Sequence, residues 1–213
     1  MDIETAMEEA IISRQGVMGA MREFEFQKKL ATQRAQEAES ARLSKLIASR
    51  MGKFKPPSIT VLKWKAQFEY TEESLPSRFK LLVLDGPTRM GKTSWALTFF
   101  GEENTLVLNC QNTMTPCMNE FQLNPDRYKC IMFEEGSCKL ILQNKLLFQA
   151  GSKMVQIGQS PTQQYVQNVL VYGVPMIMTT NDFWEEVEDA RAKQYLEANI
   201  IYECVDELCY YPS

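Results

Sequence analysis

Histidine is absent from this chain of 213 residues, and its absence excludes a large part of enzyme chemistry. No Ser-His-Asp triad, Cys-His nucleophile pair, His-ligated zinc or haem on a proximal histidine can be built. Six cysteines are present, at 110, 117, 130, 138, 204 and 209, and none form a Cys-x-x-Cys pair. That spacing argues against a zinc ribbon or a thioredoxin-like site. Several of these thiols sit inside apolar runs, where a free cysteine behaves as a small hydrophobe. No run approaches the ~20 apolar residues of a membrane span. The acidic start (Asp2, Glu4, Glu8, Glu9) also lacks the apolar core of a signal peptide. The expectation is a reducing, intracellular setting that includes the nucleus, with neither secretion nor membrane attachment.

What is present is ordinary in bulk and uneven in distribution. With 45% apolar and 23% charged residues, the chain can bury a core without metals or disulfides. Its net charge of −4 does not suit a uniformly basic nucleic-acid binder. Residues 10–55, however, carry ten Lys/Arg against four Asp/Glu, and residues 182–213 carry two against nine. A basic front of this kind pairs either with the acidic tail or with a phosphate backbone.

Residues 2–51 contain no proline and only two glycines, Gly16 and Gly19. They are rich in Ala, Glu, Gln, Arg, Lys and Met, all good helix formers. Ile3, Met7, Ile11, Met18, Met21 and Leu30 form a broken apolar stripe, so one or two exposed helices are expected. The stretch 52–58, with Pro56 and Pro57, reads as a helix stop and linker. The expected organisation is a helical extension and linker over 1–55 and one domain over 56–213.

Beyond the linker, short apolar runs alternate with helical stretches. The runs span 80–85, 105–109, 129–134, 174–179 and 200–205. Near-continuous apolar strands of this length suit a parallel sheet buried on both faces. Their alternation with helices argues for an α/β layered domain. A shorter alternating piece, 153–158, reads as one arm of a hairpin.

The strongest local signal is Gly86-Pro87-Thr88-Arg89-Met90-Gly91-Lys92-Thr93. It fits G-x-x-x-x-G-K-[ST], follows the first apolar run and precedes a helical stretch from Ser94 to Phe99, as a phosphate-binding loop requires. Gly86 and Gly91 allow the turns that aim successive N–H groups at an anion. In such a loop Lys92 reaches the β and γ phosphates of ATP, and the Thr93 hydroxyl ligates Mg²⁺. A second element lies 42 positions after Lys92, where Cys130-Ile131-Met132-Phe133 runs into Glu134-Glu135. Glu134 is expected to hold Mg²⁺ through water, and Glu135 to orient or deprotonate the attacking water. A third is Met176-Ile177-Met178-Thr179-Thr180-Asn181, whose terminal amide suits a contact to the γ-phosphate or to water.

These three elements, in this order, resemble the ATPase domain of replication initiator (Rep) proteins of circular single-stranded DNA viruses and related integrated eukaryotic copies. The resemblance covers about residues 75–208 and is most specific in the phosphate loop and in Leu147-Phe148-Gln149-Ala150. It implies a three-layer, AAA+-like P-loop fold of the superfamily-three helicase type, with strand order 5-1-4-3-2. It further implies a homo-oligomeric ring with ATP bound between subunits, acting on single-stranded DNA, or on RNA. Carried over residue by residue, Lys145 and Lys153 become nucleic-acid contacts and Arg191 the arginine finger. The sequence also departs from the family. Without histidine the chain cannot hold the metal of a Rep nickase, Glu134 stands where Asp is usual, and few residues follow the fifth strand. The expected function is therefore Mg-dependent ATP hydrolysis coupled to nucleic acid. The alternative is a nucleotide-binding oligomer scaffold that no longer turns over ATP. A small-molecule kinase ranks lowest, because only Arg127 and Arg191 follow the loop to supply a lid.

Overall fold

The computed structural model describes residues 53–111, 113–158, 166–187 and 189–211, together with Lys28, Ala31, Thr32, Ala35 and Arg42. The chain divides into two units, 1–51 and 52–213. In the first unit those five residues are helical and exposed. The apolar stripe expected from Ile3 to Leu30 lies outside the described residues.

The second unit is built on five parallel strands: β1 (Leu81–Asp85), β2 (Thr105–Asn109), β3 (Cys130–Glu134), β6 (Met176–Thr180) and β7 (Ile200–Cys204). They lie side by side in the order β2-β3-β6-β1-β7. Parallel neighbours need crossover connections, and helices supply several of them. The described helices are α1 (Ile59–Lys65), α2 (Lys92–Leu97), α3 (Asn119–Leu123), α4 (Cys138–Gln143), α5 (Lys145–Phe148) and α6 (Ala190–Asn199). A separate two-stranded antiparallel ribbon pairs β4 (Val155–Ile157) with β5 (Gln167–Val169).

Burial explains why these runs became strands. All five residues of β1 are buried, and so are all five of β6. Successive side chains of a strand point to opposite faces, and each face has its own core. Leu81 and Val83 pack with Ile131, Phe133, Met178, Leu140, Phe148 and Leu196. Leu82 and Leu84 pack with Met132, Ile177, Val61, Trp64, Trp95 and Ala96. The sheet is thus covered on both sides, which is the condition for uninterrupted apolar strands.

Side-chain caps start three of the helices. The hydroxyl of Ser58 accepts the Val61 N–H at 3.2 Å, and that of Ser137 accepts the Leu140 N–H at 3.3 Å. The Asp189 carboxylate accepts the Ala192 N–H at 3.0 Å. Each satisfies a donor that the first helical turn leaves unpaired.

Two local features differ from the sequence expectation. Residues 53–55, read as part of a linker, pair with the C-terminal segment. The Lys55 N–H donates to the Cys209 carbonyl at 2.9 Å, the Tyr211 N–H donates to the Lys53 carbonyl at 2.9 Å, and Phe54 lies opposite Tyr210. A residue before proline is biased to extended backbone, so Lys55 presents its groups for pairing instead of continuing a helix. Helix α2 stops at Leu97 although the apolar pattern runs to Phe99. The Gly101 N–H bonds the Leu97 carbonyl at 3.0 Å, and Gly101 takes a left-handed φ of 89°. The turn that follows the helix thus relies on a φ at Gly101 that glycine adopts readily.

The described cysteines sort by exposure. Cys110, Cys130, Cys138 and Cys209 are buried, while Cys117 and Cys204 are exposed. Burial pushes the thiols of Cys110 and Cys209 up to about 11 and raises those of Cys130 and Cys138. Since the thiolate is the reactive form, an alkylating reagent at pH 8 should modify Cys117 and Cys204 first. Mass spectrometry of the native and denatured protein checks this; early labelling of Cys130 would contradict the packing described.

Candidate functional site

Parallel strands bring their carboxyl ends to one edge of the sheet, and side chains from the following loops meet there. Here the ends of β1, β3 and β6 are held nearly level. Asp85 is paired with Thr180, Phe133 with Met178, and the Gly136 N–H donates to the Thr179 carbonyl at 3.0 Å. The loop 86–91 leaves β1 at this edge and feeds α2.

The loop's shape depends on its two glycines. A Cβ on Gly86 would run into the backbone carbonyl of Val205. Gly91 takes a φ of 83°, in the left-handed region that side chains other than glycine rarely occupy. Arg89, exposed at the loop tip, also takes a left-handed φ of 64°. From below, the C-terminal segment holds the loop. The Val205 N–H donates to the Asp85 carbonyl at 2.6 Å and the Cys209 N–H to the Met90 carbonyl at 2.9 Å.

Lys92 is 7% exposed, so its ammonium needs partners. It donates to the carbonyls of Gly86 and Pro87 at 2.5 and 2.8 Å and to Asn181 Oδ1 at 3.0 Å. Burial lowers its pKa, and the nearby Asp85 carboxylate works against that shift. Thr93 donates its hydroxyl to Glu134 Oε1 at 3.0 Å.

A cleft of about 200 Å³ is lined by the loop from Thr88 to Ser94 and by Glu134, Glu135, Thr179, Thr180 and Asn181. It therefore gathers Thr88, Arg89, Met90, Gly91, Lys92, Thr93, Glu134, Glu135 and Asn181 from the residues singled out in the sequence. Gly86 and Pro87 join through their bonds to Lys92. Glu135 is exposed and takes a left-handed φ of 52°. A non-glycine residue in that conformation costs of order 1–3 kcal/mol, and here it turns the chain immediately after β3. The following Gly136 has no room for a Cβ, which would lie 2.8 Å from the Met178 side chain.

Among the described residues no cluster of three or more His, Cys, Asp or Glu could hold a metal by itself. Magnesium does not require one, since it is commonly held by one or two protein oxygens with substrate phosphates and water. Thr93 and Glu134, neighbours through a 3.0 Å hydrogen bond, offer oxygens of that kind, Thr93 for direct contact and Glu134 through water.

The remaining candidates are not in the cleft. Arg191 lies in the first turn of α6, exposed. Lys145 begins α5, exposed, with its ammonium 4.8 Å from the Tyr195 ring centre. Lys153 is exposed in the bend before β4. Two contributors escaped the sequence reading. Asp85 is buried directly before the loop and accepts the Tyr202 hydroxyl at 2.7 Å. A carboxylate ending an apolar run was the available signal for Asp85. Nothing local marked Tyr202.

No protein-family model matches the chain, and no curated protein matches its sequence. Among the described residues no helix is long and apolar enough to cross a membrane.

Gly86→Ala should lower stability by about 1–3 kcal/mol, because the new Cβ displaces the segment at Val205. Thermal melting checks this, and an unchanged midpoint would show that the loop and the C-terminal segment are not in contact.

Proposed function

We propose that this protein binds ATP with Mg²⁺ through a phosphate loop and hydrolyses it, as a Rep-like ATPase or helicase module working on single-stranded nucleic acid. The observation that carries the reading is the convergence of Lys92, Thr93, Glu134, Glu135 and Asn181 on one cleft beside the loop. The five main strands, numbered along the chain, run 5-1-4-3-2 across the sheet. This is the arrangement that the resemblance to superfamily-three helicase domains implies.

In this reading the N–H groups of residues 86–93 cradle the phosphates. Lys92 exchanges its loop carbonyls for phosphate oxygens, a stronger charge-assisted contact. Thr93 would ligate the magnesium and Glu134 would hold it through water; once bound, the ion would screen the phosphate charge. Glu135 takes the proton of the attacking water. Asn181, already oriented by Lys92, donates its amide N–H to the γ-phosphate or accepts from that water. Lys145 and Lys153 contact the nucleic-acid backbone, and Arg191 reaches the nucleotide of a neighbouring copy in a ring. Their exposure supports those roles.

Two substitutions test the assignment. Lys92→Ala should weaken ATP binding about 10- to 100-fold, since a charged partner of the phosphates is lost; unchanged affinity in titration calorimetry would remove the phosphate-loop reading. Glu135→Gln should retain ATP binding and lower turnover by about 10²–10⁴-fold. Steady-state ATPase rates with and without single-stranded DNA check it, and a normal rate would overturn the base assignment. Tight binding without turnover in the parent protein would favour the scaffold.

A further inference from the structure

We infer that Asp85 and Tyr202 form a positioning pair that fixes Asn181 against the phosphate loop, an inference that rests on the phosphate-loop reading above. Asp85 ends β1 and is 8% exposed. A carboxylate so buried must use its oxygens, and it uses both. Oδ1 accepts the Phe183 N–H at 3.3 Å, and Oδ2 accepts the Tyr202 hydroxyl at 2.7 Å. Its backbone carbonyl accepts the Val205 N–H, and the next residue, Gly86, donates its N–H to the Thr180 carbonyl at 3.3 Å. One residue therefore ties the start of the phosphate loop to the turn after β6 and to β7.

Asn181 sits inside that turn, between Thr180 and the anchored Phe183. Its Oδ1 is the side-chain acceptor of Lys92, at 3.0 Å. The side-chain amide is thus held by Lys92, and the backbone turn that carries it by the Phe183 anchor. Loss of the Tyr202 hydroxyl loosens the anchor without removing any group that would touch a phosphate. Packing of the Tyr202 ring against Phe183 and Trp184, with ring centres 6.2 and 5.6 Å away, places its hydroxyl, and the hydroxyl holds Asp85. Burial and the Asp85 carboxylate raise the phenol's pKa well above its usual range, so it remains a donor at any working pH. The buried carboxylate also lies close enough to Lys92 to favour its charged form.

The pair acts through Asn181, so it should affect the γ-phosphate and not the rest of the nucleotide. Tyr202→Phe keeps the ring and deletes only the donor; Asp85→Asn is the second variant. Each is titrated with a non-hydrolysable ATP analogue and with ADP, both with magnesium, beside thermal melts. For Tyr202→Phe the expected result is a loss of about tenfold for the ATP analogue, the worth of one ordered hydrogen bond, with ADP affinity unchanged; Asp85→Asn, which also removes a charge beside Lys92, should weaken the ATP analogue about tenfold more than ADP. Asn181→Ala should give the same loss, and Asn181→Ala combined with Tyr202→Phe should add nothing further, because both act on one contact. Equal losses for both nucleotides, full additivity, or no loss in either variant would overturn the positioning role while leaving the phosphate loop intact. A parent protein that binds neither nucleotide would overturn the phosphate-loop reading and the pair with it, and that failure is recognised because it precedes any substitution.

Discussion

Parallel pairing of β1 with both neighbours is the constraint on which the rest of this unit depends. β1 is flanked by β6 and β7 in register, with Asp85 opposite Thr180 on one side and Cys204 on the other. Its five residues are buried on both faces and along both edges. A strand in that position cannot shift by one residue without exchanging its two apolar sets between the two cores. The register therefore fixes where the strand ends, and the strand's end fixes where the loop begins. Every contact at the cleft inherits its position from that pairing.

The second constraint is the burial of charge at the strand ends. Lys92 and Asp85 are both nearly inaccessible, and neither can be left without partners. Lys92 gathers two loop carbonyls and Asn181, while Asp85 gathers Phe183 and Tyr202. The two sets interlock, because Asn181 and Phe183 belong to one turn. No buried side-chain nitrogen or oxygen among the described residues lacks a hydrogen-bond partner. Satisfying the buried charges thus arranges the groups to which the proposed phosphate chemistry is assigned.

Below the loop, the C-terminal segment and residues 53–55 form a support. Cys209 uses its N–H on the loop carbonyl of Met90 and its carbonyl on the Lys55 N–H, and the Trp95 indole donates to the Lys55 carbonyl at 2.8 Å. Backbone from residues 53–55, the loop and the C-terminal segment is therefore connected through a few bonds. The segment read as a linker serves as part of the loop's foundation.

By itself the sequence determined the five strands to within about two residues, the place of the Gly-x-x-x-x-Gly-Lys-Thr loop and the acidic and amide residues at the ends of β3 and β6. Those features are local. An apolar run of five or six residues has few fates in water, and Gly-x-x-x-x-Gly-Lys-Thr fixes its own backbone turns. Only the tertiary structure decided the rest. Tyr202 lies 117 positions from Asp85, and no local pattern shows that they meet. Lys55 and Cys209, which also pair, are farther apart still in the chain. Gly86 reads as a loop glycine, yet its lack of a side chain is required by Val205, which passes beneath it. Periodicity and propensity report how a residue meets solvent and its near neighbours. Which buried groups satisfy one another is settled only when the strands are laid side by side.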